Sequence, residues 1–186
     1  MIDFFKTLNI FTTEELQILH LLPKRTLKKG EYLIEEGSVC NEIAYISKGI
    51  LRLFYTSPIG EEITSCLAFE NDLFSAYTSF ITEKPTEENI QAACDTELII
   101  LSRDFLNILY NKGAAWQKAG RLIAEMHYVE LSNKIVEFQK YSAKQRYQEL
   151  RTKHPQYIEA IPQHQIASLL GITPRHFSRL KKELQH

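Results

Sequence analysis

The feature that most constrains the fold of this chain is a change in the spacing of its apolar residues near residue 103. Between residues 24 and 102, short apolar runs are separated by turns, and strands divided by glycine turns about every 8–12 residues are typical of an all-β barrel or sandwich. The predicted strands cover residues 32–34, 42–47, 50–55, 63–69 and 97–101, and Gly30, Gly37, Gly49 and Gly60 punctuate them. Beyond residue 103, and again in residues 1–22, the spacing is helical. The sequence therefore predicts an α+β chain.

A long helix is predicted over residues 114–139, after a short helix that starts at Ser102. One of its apolar stripes has a 3-4-3-4-3 spacing, which is the heptad seam of a coiled coil with one polar member. The predicted dimer seam consists of Ala119, Leu122, Met126, Val129, Asn133 and Val136, and a second stripe contains Trp116, Ile123, Leu131, Ile135 and Phe138. We expect one stripe to pack on the β domain and the seam to meet a second subunit. The alternative is that one chain buries both stripes.

The sharpest motif lies at residues 163–184 and is typical of a helix-turn-helix. Two helices that cross steeply need a small residue at the crossing, which Ala167 supplies, and a turn residue free to take φ > 0, which Gly171 supplies. Thr173 is a good N-cap, and Pro174 suits the first position of the second helix. The apolar residues that close the core between the helices are Ile166, Leu170, Ile172, Phe177 and Leu180.

The outward face of the second helix carries the residues predicted to bind DNA. An arginine fork can bond O6 and N7 of guanine together, and Arg175 and Arg179 lie one turn apart near the end that enters the major groove in this motif. The predicted DNA-binding residues are Gln163, Thr173, Pro174, Arg175, His176, Ser178, Arg179 and Lys182. Of these, Gln163, Thr173 and Lys182 suit phosphate contacts, which set register. The alternative is a helical hairpin that only packs.

At these residues the chain resembles the cyclic-AMP-receptor/fumarate-nitrate-regulator (Crp/Fnr) family of transcription factors. The resemblance is strongest at residues 166–174 and at Ser178 and Arg179, and Arg179 matches a DNA-reading arginine of that family. Residues 30–37 and 44–49, with Arg52, look like the start of a cyclic-nucleotide-binding jelly roll. The resemblance covers nearly the whole chain. It implies a β-roll domain at 1–113, a dimerisation helix at 114–139 and a helix-turn-helix domain at 140–186.

The chain departs from this family at the phosphate-binding cassette. Cyclic-nucleotide members carry a Gly-Glu pair where Ser75 and Ala76 stand, and an Arg-Ser or Arg-Thr pair where Glu87 would repel a phosphate. Lys84 is a flexible point charge rather than a fork. The candidate effector pocket comprises Phe74, Ser75, Ala76, Tyr77, Lys84, Thr86 and Glu87. We expect no response to cyclic AMP and no cofactor.

Two further departures concern the ends of the chain. No cysteine cluster stands near the N-terminus, which disfavours the iron–sulfur mechanism of oxygen sensing in that family. The sequence stops after the second helix of the motif, where the family continues into a β wing. The resemblance therefore predicts a wing-less regulator of the Bacteroidetes type with its own preferred DNA sequence.

Charge and composition narrow the class of function. Residues 140–186 hold nine Lys or Arg against three Glu and carry +6, whereas residues 1–139 carry −7. This asymmetry suggests that the C-terminal part meets a polyanion, although an ordinary solvated surface is the alternative. The three cysteines are widely spaced, which disfavours a disulfide framework or a metal site. No apolar run approaches the ~20 residues of a membrane span, and no signal peptide is evident, so we expect a cytoplasmic protein.

The function predicted from these observations is sequence-specific transcriptional regulation by a homodimer that binds double-stranded DNA. An effector in the β roll and RNA polymerase are further candidate partners, and a signal would act through a hinge near residues 137–142. The alternative is a ligand-sensing or protein-interaction module with weak or no DNA binding. We expect no enzyme, because none of the six histidines lies in residues 24–102, where a metal cupin would need them, and no catalytic motif is present.

Overall fold

The computed structural model describes residues 1–184 and begins with helices α1 (Ile2–Thr7) and α2 (Thr13–Gln17) and a 3-10 helix (Ile18–Leu21). The strands are β1 (Lys24–Leu27), β2 (Tyr32–Ile34), β3 (Glu42–Lys48), β4 (Leu51–Thr56), β5 (Glu62–Ala68), β6 (Leu73–Phe74), β7 (Asn89–Ala92) and β8 (Thr96–Ser102). Helix α3 (Tyr77–Thr82) lies between β6 and β7. The remaining helices are α4 (Arg103–Lys112), α5 (Ala114–Lys140), α6 (Ala143–Lys153), α7 (Gln163–Leu169) and α8 (Pro174–Glu183).

The strands form two antiparallel four-stranded sheets, ordered β1-β8-β3-β6 and β2-β7-β4-β5, which enclose one apolar core. Strand alternation turns Ala44 and Ile46 of β3 inward, where they share a cluster with Leu51 and Leu53 of β4. Gly49 joins these strands with φ +103°, and a Cβ there would lie 2.5 Å from Thr96 Oγ1. Glycine therefore permits the turn to pack directly against β8.

The outer face of the first sheet is covered by the N-terminal helices and the first half of α5. Tyr45 and Leu101 point outward from the sheet and share a second cluster with Phe5 and Trp116. The ring centroids of Phe11 and Trp116 are 4.4 Å apart, and those of Phe5 and Trp116 are 5.9 Å apart. These aromatic contacts anchor the start of α5 on the roll, so its second half reaches past the sheet towards the C-terminal helices.

A third cluster joins the β roll to the C-terminal helices. From the roll it takes Ile50, Leu67, Phe69 and Ala93, and from the helices it takes buried residues of α6, α7 and α8. The ring of Phe69 also stacks on the His154 imidazole, with centroids 3.6 Å apart and planes 8° apart. The roll and the C-terminal helices therefore share one packed core rather than touching at a flexible linker.

The α+β class, the five predicted strands and the long helix are confirmed, with ends that agree or differ by one residue. The prediction missed β1, β6 and β7, which are four residues long or shorter. Residues 155–160 form turns between α6 and α7. Gln185 and His186, the end of the predicted helix-turn-helix domain, lie outside the described residues. None of the helices in residues 1–184 has the length and apolarity that a membrane crossing requires.

Candidate DNA interface

Local sequence builds the helix–turn–helix of α7 and α8. Helix α7 ends at Gly171, which has φ +66°, and the N–H of Ile172 then donates to the Ala167 carbonyl at 3.0 Å. The second helix starts at once, because the Thr173 hydroxyl accepts from the His176 N–H at 3.2 Å and Pro174 occupies the first turn. The predicted turn, cap and helix start are therefore confirmed.

The two helices are held by a buried apolar core. Ala167 is fully buried at the crossing, and Ile166 and Phe177 are almost fully buried beside it. Tyr147 of α6 packs edge-on against the Phe177 ring, with centroids 4.9 Å apart and planes at 82°. This third helix makes the unit a compact trihelical arrangement, which fixes the direction of α8.

All eight predicted DNA-binding residues lie on the exposed surface, so none of them is used to build the core. They are Gln163, Thr173, Pro174, Arg175, His176, Ser178, Arg179 and Lys182. Arg175 and Arg179 lie one turn apart on α8, and neither forms an ion pair within residues 1–184. Lys144 and Glu183, 3.9 Å apart, form the ion pair near the end of α8. The exposed face of α8 therefore presents two arginine forks and a lysine to solvent.

The sequence did not predict how this unit is docked on the roll. The Thr64 N–H of β5 donates to the Ser168 hydroxyl of α7 at 2.9 Å. Behind it, Arg52 of β4 is 2% exposed, and its Nε donates to Thr64 Oγ1 at 2.9 Å while its Nη1 contacts Glu62 at 2.6 Å. The Arg52 guanidinium also stacks on the Phe54 ring at 4.1 Å. A buried arginine that bonds to two residues of β5 thus stiffens the strand edge that receives α7.

The second half of α5 leaves an apolar face uncovered within one chain. Met126, Val129 and Val136 of the predicted seam are 44%, 55% and 52% exposed, and Asn133 is exposed among them, while Leu122 is half-buried. Ala119 does not belong to this seam: it is 2% exposed and packs in the cluster of Trp116. Trp116, one turn earlier on α5, packs on Phe5 and Phe11, so the roll covers this first position.

The structure divides the predicted effector pocket. Phe74, Ser75 and Tyr77 line an apolar cavity of about 300 Å³ between the first sheet, α4 and α5. Ala76 is fully buried on the other side of the chain, and Thr86 is buried with its hydroxyl accepting from the Glu88 N–H at 2.9 Å. Lys84 and Glu87 are exposed and line no part of that cavity. The seven residues therefore do not converge on one ligand position.

Aromatic and cationic side chains occupy the cassette region instead. Phe80 of α3 packs on the core of the roll, and the Arg103 guanidinium lies over its ring at 4.7 Å. Arg103 also donates to the Cys40 carbonyl at 2.7 Å and pairs with Glu83 at 3.1 Å. These contacts tie the cassette segment down from within the chain.

A cleft of about 500 Å³ lies where β5, α5 and α6 approach each other. In it, Lys134 Nζ donates to Cys66 Sγ at 3.0 Å. Burial lowers the pKa of His154, against the opposing effect of the Asp72 carboxylate, and burial raises the pKa of Asp72. Among residues 1–184, no cluster of His, Cys, Asp and Glu could hold a metal ion.

Comparison with known proteins agrees with the class that this geometry defines, a β roll carrying a long helix and a helix-turn-helix. Residues 24–112 match the family of the cyclic nucleotide-binding domain, a little under half of the chain. This part of the chain is therefore similar to that domain. A search of curated proteins by sequence gives no match.

Solved structures extend the likeness to the whole chain. FixK2 from Bradyrhizobium japonicum superposes with a TM-score of 0.74 at 13% identity, covering 88% of this chain and 84% of its own. A putative transcriptional regulator of the Crp/Fnr family from Eubacterium rectale gives 0.70 at 21% identity, covering 95% and 85%. The c-di-GMP-responsive global regulator CLP of Xanthomonas campestris gives 0.65 at 14% identity, covering 94% and 92%. The chain thus has the fold of the Crp/Fnr regulators.

Proposed function

We propose that the protein is a homodimeric transcription regulator of the Crp/Fnr type that binds double-stranded DNA in a sequence-specific manner. The observation that carries this proposal is the exposed face of α8, where Arg175 and Arg179 point to solvent from a helix whose other face is buried. A helix that only packed would have no need for two unpaired forks one turn apart. In this role the protein catalyses no reaction, acts in the cytoplasm and has RNA polymerase as a candidate partner.

The basic face of α8 suits the major groove for reasons of charge and shape. Each guanidinium can make two parallel hydrogen bonds to one guanine, and Lys182 and the N-terminus of α7 can contact phosphates. Thr173 and Gln163 lie at the starts of the two helices, where N–H groups and hydroxyls meet phosphate oxygens. The Arg and Lys contacts make binding weaken steeply with salt.

A second subunit completes the proposed interface. One chain leaves the seam of Met126, Val129 and Val136 open to solvent, and pairing through a second copy covers it. Two-fold pairing of parallel α5 helices places both α8 helices on one side of the dimer. Regulators of this design bind two half-sites about one DNA turn apart, roughly 34 Å.

We further propose that cyclic AMP is not the effector. Two observations support this proposal. Exposed Glu87 stands where cyclic-nucleotide members carry the arginine that binds the phosphate, and Phe80 and Arg103 fill the cassette region. The cavity that Phe74, Ser75 and Tyr77 line is mostly apolar rather than an anion site.

The test is selection of duplexes from a random pool, followed by titration of the selected operator. We expect a palindromic site whose affinity falls steeply with salt, and Arg179→Ala should weaken binding by ~1–3 kcal/mol and relax selectivity at one base pair. Arg121→Ala, an exposed arginine on α5 far from α8, is the matched control and should bind as the parent does. Equal binding by Arg179→Ala and the parent would refute the assignment of α8 as the reading helix.

A further inference from the structure

Two helix ends meet at the guanidinium of Arg146 in α6. Its Nη1 donates to the carbonyl of Phe138, in the last turn of α5, at 3.1 Å and to that of Tyr141, the C-cap of α5, at 2.6 Å. Its Nη2 donates to the Leu170 carbonyl at 2.7 Å, at the end of α7. One side chain therefore bridges the end of the long helix and the end of the first helix of the DNA-binding unit.

The Phe138 ring completes this junction. The Arg146 guanidinium lies over the ring at 4.3 Å from its centroid, and the opposite edge of the ring touches Gly171 so closely that a Cβ there would lie 2.7 Å from Cζ. The ring is thus held between a cation and the turn of the helix-turn-helix. Stacking and hydrogen bonding act on the same two segments, the end of α5 and the turn after α7.

Charge favours this arrangement. The C-terminal ends of α5 and α7 both carry unpaired carbonyls and a partial negative charge, and an arginine is a strong, planar donor to such groups. The Nε of Arg146 is buried without a hydrogen-bond partner in the described residues. A buried N–H without a partner is unfavourable, and a methionine of similar length would not have one. Arginine has this cost, but it also supplies three charge-assisted hydrogen bonds at the junction.

From these contacts we infer that Arg146 is a positioning residue that fixes the angle between α5 and the helix-turn-helix. This inference rests on the proposed function, because the angle matters only if the two α8 helices of a dimer bind DNA together. In the dimer the two α8 helices are related through the α5 seam, and the covalent path from seam to α8 runs through residues 138–146. Arg146 bonds the end of α5 to the end of α7 and so fixes their relative orientation. It therefore sets the separation of the two reading helices in the dimer, and hence the half-site spacing.

The first test needs no DNA. Arg146→Met is compared with Arg151→Met, which removes an exposed arginine five residues along the same helix. Hydrogen–deuterium exchange is measured on the intact dimer. We expect amides of residues 138–142 and 170–172 to exchange about tenfold faster in Arg146→Met, in proportion to the loss of bonds worth ~1.4 kcal/mol, and at the parental rate in Arg151→Met.

The second test reads the spacing itself. The selected operator is prepared with its half-sites moved apart by one and two base pairs, and a single half-site duplex serves as reference. We expect Arg146→Met to bind the half-site as the parent does but to lose most of its preference for the parental spacing. Arg146→Lys should keep that preference only in part, since a compact ammonium lacks the planar fork that stacks on Phe138 while it spans two helix ends. Ser168→Ala, which removes only the hydrogen bond from Thr64 to α7, separates the roll contact from the α5 contact.

The outcomes distinguish the two proposals. If the parent binds no duplex, the proposed function fails, and the exchange experiment alone decides whether Arg146 brackets the helices. If Arg146→Met keeps both the parental exchange rates and the parental spacing preference, the positioning role is wrong. A general loss of stability would lower half-site binding and the spaced operators together, and that pattern would likewise overturn the inference.

Discussion

Replacing Gly171 with alanine tests the turn on which the whole DNA-binding unit depends. Gly171 has φ +66°, and its Cα lies against the ring of Phe138. Two separate effects follow from adding one methyl group. The backbone must hold an alanine in the left-handed region, and the new Cβ would lie 2.7 Å from Phe138 Cζ, closer than side-chain carbons approach in proteins.

The magnitude can be divided between these two effects. The left-handed conformation costs a non-glycine residue ~1–2 kcal/mol, and the loss of unfolded-state freedom offsets ~0.4–1 kcal/mol of it. Phe138 is 56% exposed, so its ring can move away. It would then leave the Arg146 guanidinium, and this cation–π contact is worth ~0.5–1 kcal/mol. We expect a total of about 1.5 kcal/mol, or a fall in Tm of about 3–6 °C for a chain of this length.

The assay is urea unfolding of four proteins: the parent, Gly171→Ala, Phe138→Ala and the double variant. In the Phe138→Ala background only the backbone cost remains, so the two substitutions should couple by ~0.5–1 kcal/mol. Gly113→Ala is the matched control, because Gly113 has extended φ 166° and nothing near its missing Cβ. If Gly171→Ala is as stable as Gly113→Ala, or if the coupling is zero, the described turn is wrong.

Three other perturbations test the remaining parts. Met126→Asp should give monomers in light scattering, and these should bind DNA weakly. Ile135 is also apolar and is 55% exposed, but it lies off the seam, so Ile135→Asp should stay dimeric. Dimers from both variants would refute the seam. Burial lowers the pKa of His154 in the folded state, so the free energy of unfolding should fall as pH drops through the usual ~6.5 of histidine. His154→Asn should remove this pH dependence in urea unfolding. The raised pKa of Asp72 acts in the opposite sense, at lower pH. Cyclic AMP at about 1 mM should leave the Tm unchanged, and a saturable rise would contradict the cassette argument.

The helix-turn-helix could be predicted from sequence because its signals are local. The turn glycine, the Thr173 cap and Pro174 all lie within four residues, and each acts on the backbone beside it. The strands with β-branched runs were predictable for the same reason. Strand β7 was not, because Asn89–Ala92 offers one β-branched residue in four and gains its pairing from β2 and β4, which are distant in sequence.

The predicted seam shows a different limit, because Ala119 was expected to face a second subunit and is instead buried within its own chain. A heptad spacing identifies residues that share a face, and it cannot say which neighbour covers each turn of that face. Trp116 lies three residues before Ala119 and packs on Phe5 and Phe11. The contact between the roll and α5 therefore includes Ala119, one turn further along the helix than the predicted seam implied. Tertiary packing, rather than helical period, decides where the intersubunit contact begins.

The docking of the DNA-binding unit on the roll bears most directly on how a signal could travel. The hinge that the sequence suggested, residues 137–142, is held by Arg146, and α7 is held by Thr64 and the shared apolar cluster. A ligand in the roll would therefore act on α7 through β5 as well as on α5, since Thr64 and Arg52 lie on the strands that line the roll. A two-state change that moves the helix-turn-helix would therefore shift contacts on both routes.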